Sequence, residues 1–488
     1  MWTPTFGNFC GSVNRHLKFL VAIRLMSLSL VGIAISAAEL GQVHFQNSCA
    51  AEVQGKFDEA VALLHSFEFA EAERLFGQVE AQDHRCVIAA WGMALAETGR
   101  GGANAPQKTL AAGWKQLQPW LGVRAQTMRE QMYFDAVRSM YEGYATTSGE
   151  ERWRRYLVRM AALWSKYPDD IDASLLYALG LVWTAGPGPH GIAQRRTALD
   201  ILLPIFKSHP DHPGAAHYII HAADAPELAA IGLPAARKYA AIAPDSPHAL
   251  HMPSHIFSRL GLWDEVVRSN EDSANVAAEW VKQGRDGRFD ELHALTYLEY
   301  AYLQLGEQAK ARDQTTRIRK VTEVPSGDPW AEIDARIVFD VQTNDWADAR
   351  KIAPPANSPV RENFDAYWAQ TLAAAHLGDV ESARGALRQL TDSVAQQTSR
   401  QGYMNTLRLY LLQAQSAVEE AAGNGGSAVA ILKQAVAFEQ AHPVDYPNVL
   451  APPSAECLGT LLLELRRPDE ATVAFRQALA MAPNTCVL

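Results

Sequence analysis

The residue types best suited to chemistry lie between His209 and Arg259, in the stretch HPDHPGAAHYIIHAADAPELAAIGLPAARKYAAIAPDSPHALHMPSHIFSR. Two HxxxH pairs occur there, His217/His221 and His251/His255. On a helix, residues four apart share one face, with Cβ atoms about 5–6 Å apart. Neutral imidazoles at that spacing can both reach one metal ion. The pairs are offset by 251−217 = 34 and 255−221 = 34 residues, so one device is repeated at a fixed period. A nitrogen-rich set without cysteine suits a divalent metal, Zn²⁺ or Cu²⁺ foremost, with Fe²⁺ and Ni²⁺ also compatible. Imidazoles that only donate to carbonyls inside a helical core would show the same spacing. A metal or acid–base site and structural or peptide-binding histidines both stand at this level.

The elements that must position these rings are helices. Ala-, Leu- and Arg-rich stretches carry apolar residues at i, i+3, i+4 and i+7 and are broken by Pro, Gly and Asp-Asp turns. Alternating strand patterns are nearly absent. The clearest unit is the last, with Leu458, Gly459, Leu462, Ala471, Phe475, Ala478 and Pro483. Those residues closely resemble the tetratricopeptide repeat, whose small residues let two antiparallel helices touch and whose proline ends the second. The resemblance extends over nearly all of the chain after residue 50. It implies an all-α fold, a right-handed superhelical solenoid of helix-turn-helix repeats. LLHSF, HPGAAHYIIHAAD, HALHMPSHIFSRLGLW and LHALTYLEYAYLQLG also look like a subgroup of exported bacterial tetratricopeptide proteins with paired HxxxH repeats. Residues 1–38 read as a leader, 39–353 as an array carrying the histidines, and 354–488 as C-terminal repeats, with a soft break near Pro354 to Pro359.

In the repeat register, His217 and His251 share one position and His221 and His255 another, both turned towards the concave groove of such repeats. Four imidazoles are thus expected on one groove wall. His293 and His65 fall on further groove positions, His293 as a fifth metal ligand and His65 as a groove-lining group. Tyr218 and Asp224 are candidate supports, Asp224 being also a carboxylate able to complete a ligand set. Arg259, with Tyr297 beside it, would face an anionic ligand. His212 and His248 precede their helices and read as turn or cap residues. His209 reads as a solvated helix end, and the tryptophans as packing between helices.

No phosphate loop, GxSxG elbow, HExxH or EF-hand loop occurs, so no nucleotide cofactor is expected. The 488-residue chain carries a formal charge of −10, 48% hydrophobic and 20% charged residues, and no long basic block. That argues against nucleic acid, which needs clustered Lys and Arg. Arg15, Lys18 and Arg24, the apolar run Leu25–Ile35 and the small residues Ser36-Ala37-Ala38 form a secretory signal peptide pattern, cleaved after Ala38. An uncleaved anchor is the alternative, although the run is short for a span. The mature chain is accordingly expected to be exported to the periplasm or medium and free of the membrane. Export permits disulfides: Cys49–Cys86 is the first choice and Cys457–Cys486 the second, with buried free thiols as the alternative.

Two functions follow. The first is a scaffold that holds a protein or peptide in its concave groove, which is what the resemblance implies. The second is a metal-dependent enzyme or metal carrier, with a small molecule at an open metal position.

Overall fold

A computed structural model describes residues 39–99, 105–186, 188–323, 329–397, 401–442 and 450–481. The leader 1–38, Cys10, Pro483 and the Cys457–Cys486 pairing, through Cys486, lie outside the described residues.

The chain is all-α, a succession of helix hairpins, and no strand occurs among the described residues. The helix Trp263–Lys282 shows why. Its buried residues Val266, Asn270, Ser273, Ala277 and Trp280 recur every three or four positions, which makes one inward stripe. Asp264 and Glu265 occupy its first turn and Lys282 its last, each opposing the partial charge of that helix end. Successive helices pack pairwise: Trp263–Lys282 on Arg288–Gln304, Phe364–His376 on Val380–Ala395, and Ser454–Glu464 on Pro468–Met481. Glycine permits the close approach in the last pair, where a Cβ on Gly459 would lie 2.6 Å from the Phe475 ring.

The hairpin turns follow one pattern. A residue with positive φ ends the first helix, and the next N–H bonds back to a carbonyl five residues earlier. Gly261, Gly306, Gly378 and Gly423 have φ of 66°, 73°, 76° and 78°. The matching bonds run from Leu262 to Phe257, Glu307 to Tyr302, Asp379 to Ala374 and Asn424 to Glu419, at 2.8–2.9 Å. Glycine suits that backbone because it has no Cβ to clash. Phe67 occupies the same position after the helix Gln54–His65, with φ 56° and a Glu68 N–H···O bond to Leu63 of 2.9 Å. A bulky residue there costs about 1–2 kcal/mol.

Cys49 and Cys86 form a disulfide with a Cα–Cα distance of 4.9 Å. No helix among the described residues is long and apolar enough to cross a membrane.

Candidate metal centre

The helix Pro213–Ala223 starts on Pro213, whose missing N–H falls where a helix needs none. It buries Ala215, Ala216, Ile219 and Ile220, and it carries His217 fully buried and His221 partly so. Nδ1 of His217 donates to the backbone carbonyl of His65 at 2.6 Å. That carbonyl belongs to the last residue of the helix Gln54–His65, where no intrahelical donor is available. The bond fixes the tautomer, so the other nitrogen, Nε2, presents a lone pair. It faces Nε2 of His248 at 3.2 Å. Ring nitrogens of His217, His221 and His248 lie within 4.8 Å of one another. Nε2 of His221 is buried without a hydrogen-bond partner. Burial, then the neighbouring His255, push the His221 pKa down to about 3.

His248 comes from a helix of only five residues, Pro247–His251, begun by Ser246, whose Oγ accepts from the Ala249 N–H at 3.1 Å. The helix expected to run through both His251 and His255 is broken at Met252, because Pro253 has no N–H and begins a second helix, Pro253–Arg259. The break redirects the rings without parting them. His251 Nε2 and His255 Nε2 stand 3.1 Å apart, and His293, from the helix Arg288–Gln304, brings a third imidazole within 4.8 Å.

Both tautomers of that pair are set from behind. His251 Nδ1 donates to Oδ1 of Asn270 at 2.6 Å, and Asn270 itself is oriented by its Nδ2 donating to the Val266 carbonyl at 2.9 Å. His255 Nδ1 donates to Oδ2 of Asp224 at 3.2 Å. Burial would raise the Asp224 pKa, yet the Arg259 charge and the His255 bond hold it well below the carboxylate range. The Tyr297 ring lies against His251 and His293, with centroids 4.7 and 5.1 Å away.

With both Nδ1 atoms donating and both rings neutral, two lone pairs face each other at 3.1 Å, a repulsive arrangement that a shared proton or a metal cation converts into attraction. Two nitrogens each about 2.1 Å from one ion lie roughly 3–3.4 Å apart. Ligating histidines characteristically turn their second nitrogen to a carboxylate, amide or carbonyl, as His217, His251 and His255 do here.

A third cluster has the opposite logic. His65 Nε2 lies 2.8 Å from Asp172 Oδ1, and His212 Nε2 3.6 Å from the same oxygen. Here N–H groups meet a carboxylate, and the Tyr218 hydroxyl, 2.9 Å away, meets the remaining nitrogen of His65. Burial lowers the His65 pKa, against the opposing bond to Asp172. Hydrogen bonds satisfy both nitrogens of His65, while Nδ1 of His212 is buried without a hydrogen-bond partner.

Several placements differ from the sequence reading. The four repeated histidines divide between two adjacent groups: His217 and His221 join His248, while His251 and His255 join His293. His212 holds the N-cap position of Pro213–Ala223, as expected, with its ring buried beside Asp172, whereas His248 lies inside the helix Pro247–His251 and is buried in the first cluster. His65 and Tyr218 are buried and bonded to each other, so neither lines an open groove. Asp224 stands behind His255, and Arg259 spends its Nε on Asp224 at 2.9 Å. His209 is exposed, as expected.

An acidic crevice of about 420 Å³ adjoins both three-histidine clusters. Glu68, Glu71, Glu73, Glu97, Asp286 and Asp290 line it. Two rings in its wall touch histidines: Phe67, 4.4 Å from His217 and 5.2 Å from His221, and Phe289, stacked 5.7 Å from His293. The unusual backbone at Phe67 thus delivers an aromatic ring to the first cluster.

No protein-family model matches the chain, and no curated protein matches it either. Solved structures do. The APC/C hetero-tetramer Cut9–Hcn1 is similar at 11% identity, covering 91% of this chain and 77% of that one, with a TM-score of 0.39. The human IFIT1 dimer with m7Gppp-AAAA is similar at 12% identity over 91% and 98%, TM-score 0.38. A Rap protein complexed with Competence and Sporulation Factor is similar at 11% over 88% and 98%, TM-score 0.35.

Proposed function

We propose that this helical array binds transition-metal ions at two neighbouring three-histidine sites, His217/His221/His248 and His251/His255/His293, and acts on a small molecule at the position each ion keeps open. The observation that carries this reading is the His251–His255 pair, Nε2 to Nε2 at 3.1 Å with His293 beside it, each ring of the pair locked from behind by Asn270 or Asp224. Three protein ligands leave a fourth position for water or substrate, which is the pattern of catalytic sites and not of sealed structural ones.

The donors point to copper ahead of zinc. Neither set contains an anionic ligand, and Arg195 and Arg259 stand close by, Arg195 donating to the His221 carbonyl at 2.6 Å. Two adjacent dications would then repel with little compensation, whereas monovalent copper carries half that charge. The acidic crevice concentrates cations at the approach to both sites. Export through a signal peptide over residues 1–38 is part of the same proposal, supported by the Cys49–Cys86 disulfide.

One observation favours a scaffold instead: the crevice sets Phe69, Trp280 and Phe289 among its carboxylates, a lining suited to a basic peptide. Metal analysis separates the two. Protein purified with copper or zinc present is expected to retain stoichiometric metal, and the double variant His251→Ala/His255→Ala to lose about half. Wild-type protein that folds and holds no metal would leave the scaffold reading in place.

A further inference from the structure

The C-terminal repeats contain a second pocket, remote in sequence from the histidines. It has a volume of about 150 Å³, room for about five waters at 30 Å³ each. Three carboxylates, Glu420, Glu456 and Glu464, line it, and no Lys or Arg does. Its wall also carries Trp346, stacked on His376 with centroids 4.1 Å apart and planes 12° from parallel. Burial lowers the His376 pKa, so this ring adds no positive charge at neutral pH.

A further observation points to a ligand independently of the acidic residues. Gln413 is buried and lines the pocket, and both bonds of its Nε2 are accounted for, to the Pro452 carbonyl at 3.0 Å and Ser454 Oγ at 3.1 Å. Its Oε1 is buried with no hydrogen-bond partner. A buried acceptor left unsatisfied costs about 1–3 kcal/mol, and a bound donor removes that cost.

We propose that this pocket binds a small alkyl cation, a primary ammonium or guanidinium group on a short apolar stem. Gln413 Oε1 and the carboxylates accept its N–H groups, while the Trp346 ring, held by its stack on His376, lines the wall against the stem. The volume limits the guest to a side-chain-sized group. Glu420 and Glu456 hold their protons more tightly than ordinary carboxylates: burial, then a bond with Glu464, push Glu420 up to about 8, and burial pushes Glu456 up to about 7. The group has two possible sources, a free diamine or the end of a lysine or arginine side chain on another protein.

The test is calorimetric titration of the full chain with putrescine, agmatine and Nα-acetyl-lysine amide, with 1-pentanol as the uncharged control. Saturable binding with a Kd of about 1 mM or tighter is expected for at least one cation. Binding is expected to weaken tenfold or more in Glu456→Gln and, separately, in Trp346→Leu, each with an unchanged circular dichroism spectrum. Preference for putrescine or agmatine assigns a free amine, and preference for the lysine amide assigns a protein side chain. Equal binding of 1-pentanol, or no saturation by any cation in folded wild-type protein, overturns the proposal. Metal content plays no part in this readout, so the two proposals fail independently.

Discussion

Asn270 decides which nitrogen of His251 faces the second cluster. Its amide oxygen takes the Nδ1 proton at 2.6 Å, and its amide nitrogen is anchored on the Val266 carbonyl at 2.9 Å, so the amide has one orientation. Asn270→Leu removes the acceptor and frees the ring to turn, whereas Asn270→Asp keeps an acceptor in place. Metal affinity, read by competition with a chromophoric chelator, is expected to fall 10–100-fold in the leucine variant. It is expected to change far less in the aspartate variant. Equal losses in both would remove the orienting role.

Phe67 predicts a reversal of the usual order of substitutions. Truncating a buried phenylalanine costs about 3–5 kcal/mol, and glycine is ordinarily worse than alanine. At φ 56° alanine retains the clash that glycine lacks. Phe67→Gly is therefore expected to be about 1 kcal/mol more stable than Phe67→Ala in urea unfolding. Loss of the ring against His217 and His221 should weaken metal binding in both.

Gly214 supports the third cluster by being absent as a side chain. A Cβ there would lie 2.5 Å from Nδ1 of His65. Gly→Ala inside a helix normally adds about 1 kcal/mol. Here a loss of about 1–3 kcal/mol is expected, because His65 cannot move without breaking its bonds to Asp172 and Tyr218. A raised denaturant midpoint for Gly214→Ala would contradict this packing.

Glu420 and Glu456 set a pH dependence. Their folded pKa values of about 8 and about 7 lie above the ordinary glutamate value of 4.5, so between those limits the folded chain binds more protons than the unfolded one. Stability contributed by these groups is then complete below about 4.5 and declines as pH rises towards 8. Urea midpoints at pH 5 and pH 8 should show that decline, and Glu420→Gln/Glu456→Gln should flatten it.

The Cys49–Cys86 bond closes a separation of 37 residues. Chain-entropy arguments give about 4 kcal/mol for a loop of that size. Reductant is expected to lower the melting temperature, and both thiols should resist alkylation until it is added.

Much of this was readable in the sequence, for reasons that particular residues make plain. The helical period and the repeat spacing depend on local patterning, so the hairpins and the recurrence of HxxxH could be found without coordinates. Cys49 and Cys86, one repeat apart, were paired correctly on the same ground. His248, just after Ser246-Pro247, reads as part of a cap, although it shares a helical turn with His251. The Pro253 break was visible in HMPSH, but its effect on ring direction depends on the packing of neighbouring helices. His65 lies 152 residues from His217, and only the folded chain shows that its carbonyl sets the tautomer of that ring. Phe67 gave no local signal, since nothing in LLHSF marks a phenylalanine in a glycine position.

The five-residue helix Pro247–His251 has a thermodynamic consequence. One turn, bounded by Pro247 and Pro253, carries His248 into one cluster and His251 into the other. His251 is already held by Asn270, so an ion that draws in His248 orders what freedom this short segment retains, and the second ion has less entropy left to remove. Linkage requires the effect to be mutual and equal in free energy. Metal uptake by wild-type protein is therefore expected to be cooperative, with a binding curve steeper than that of two independent sites, and lengthening the Met252 joint by a glycine should make it shallow.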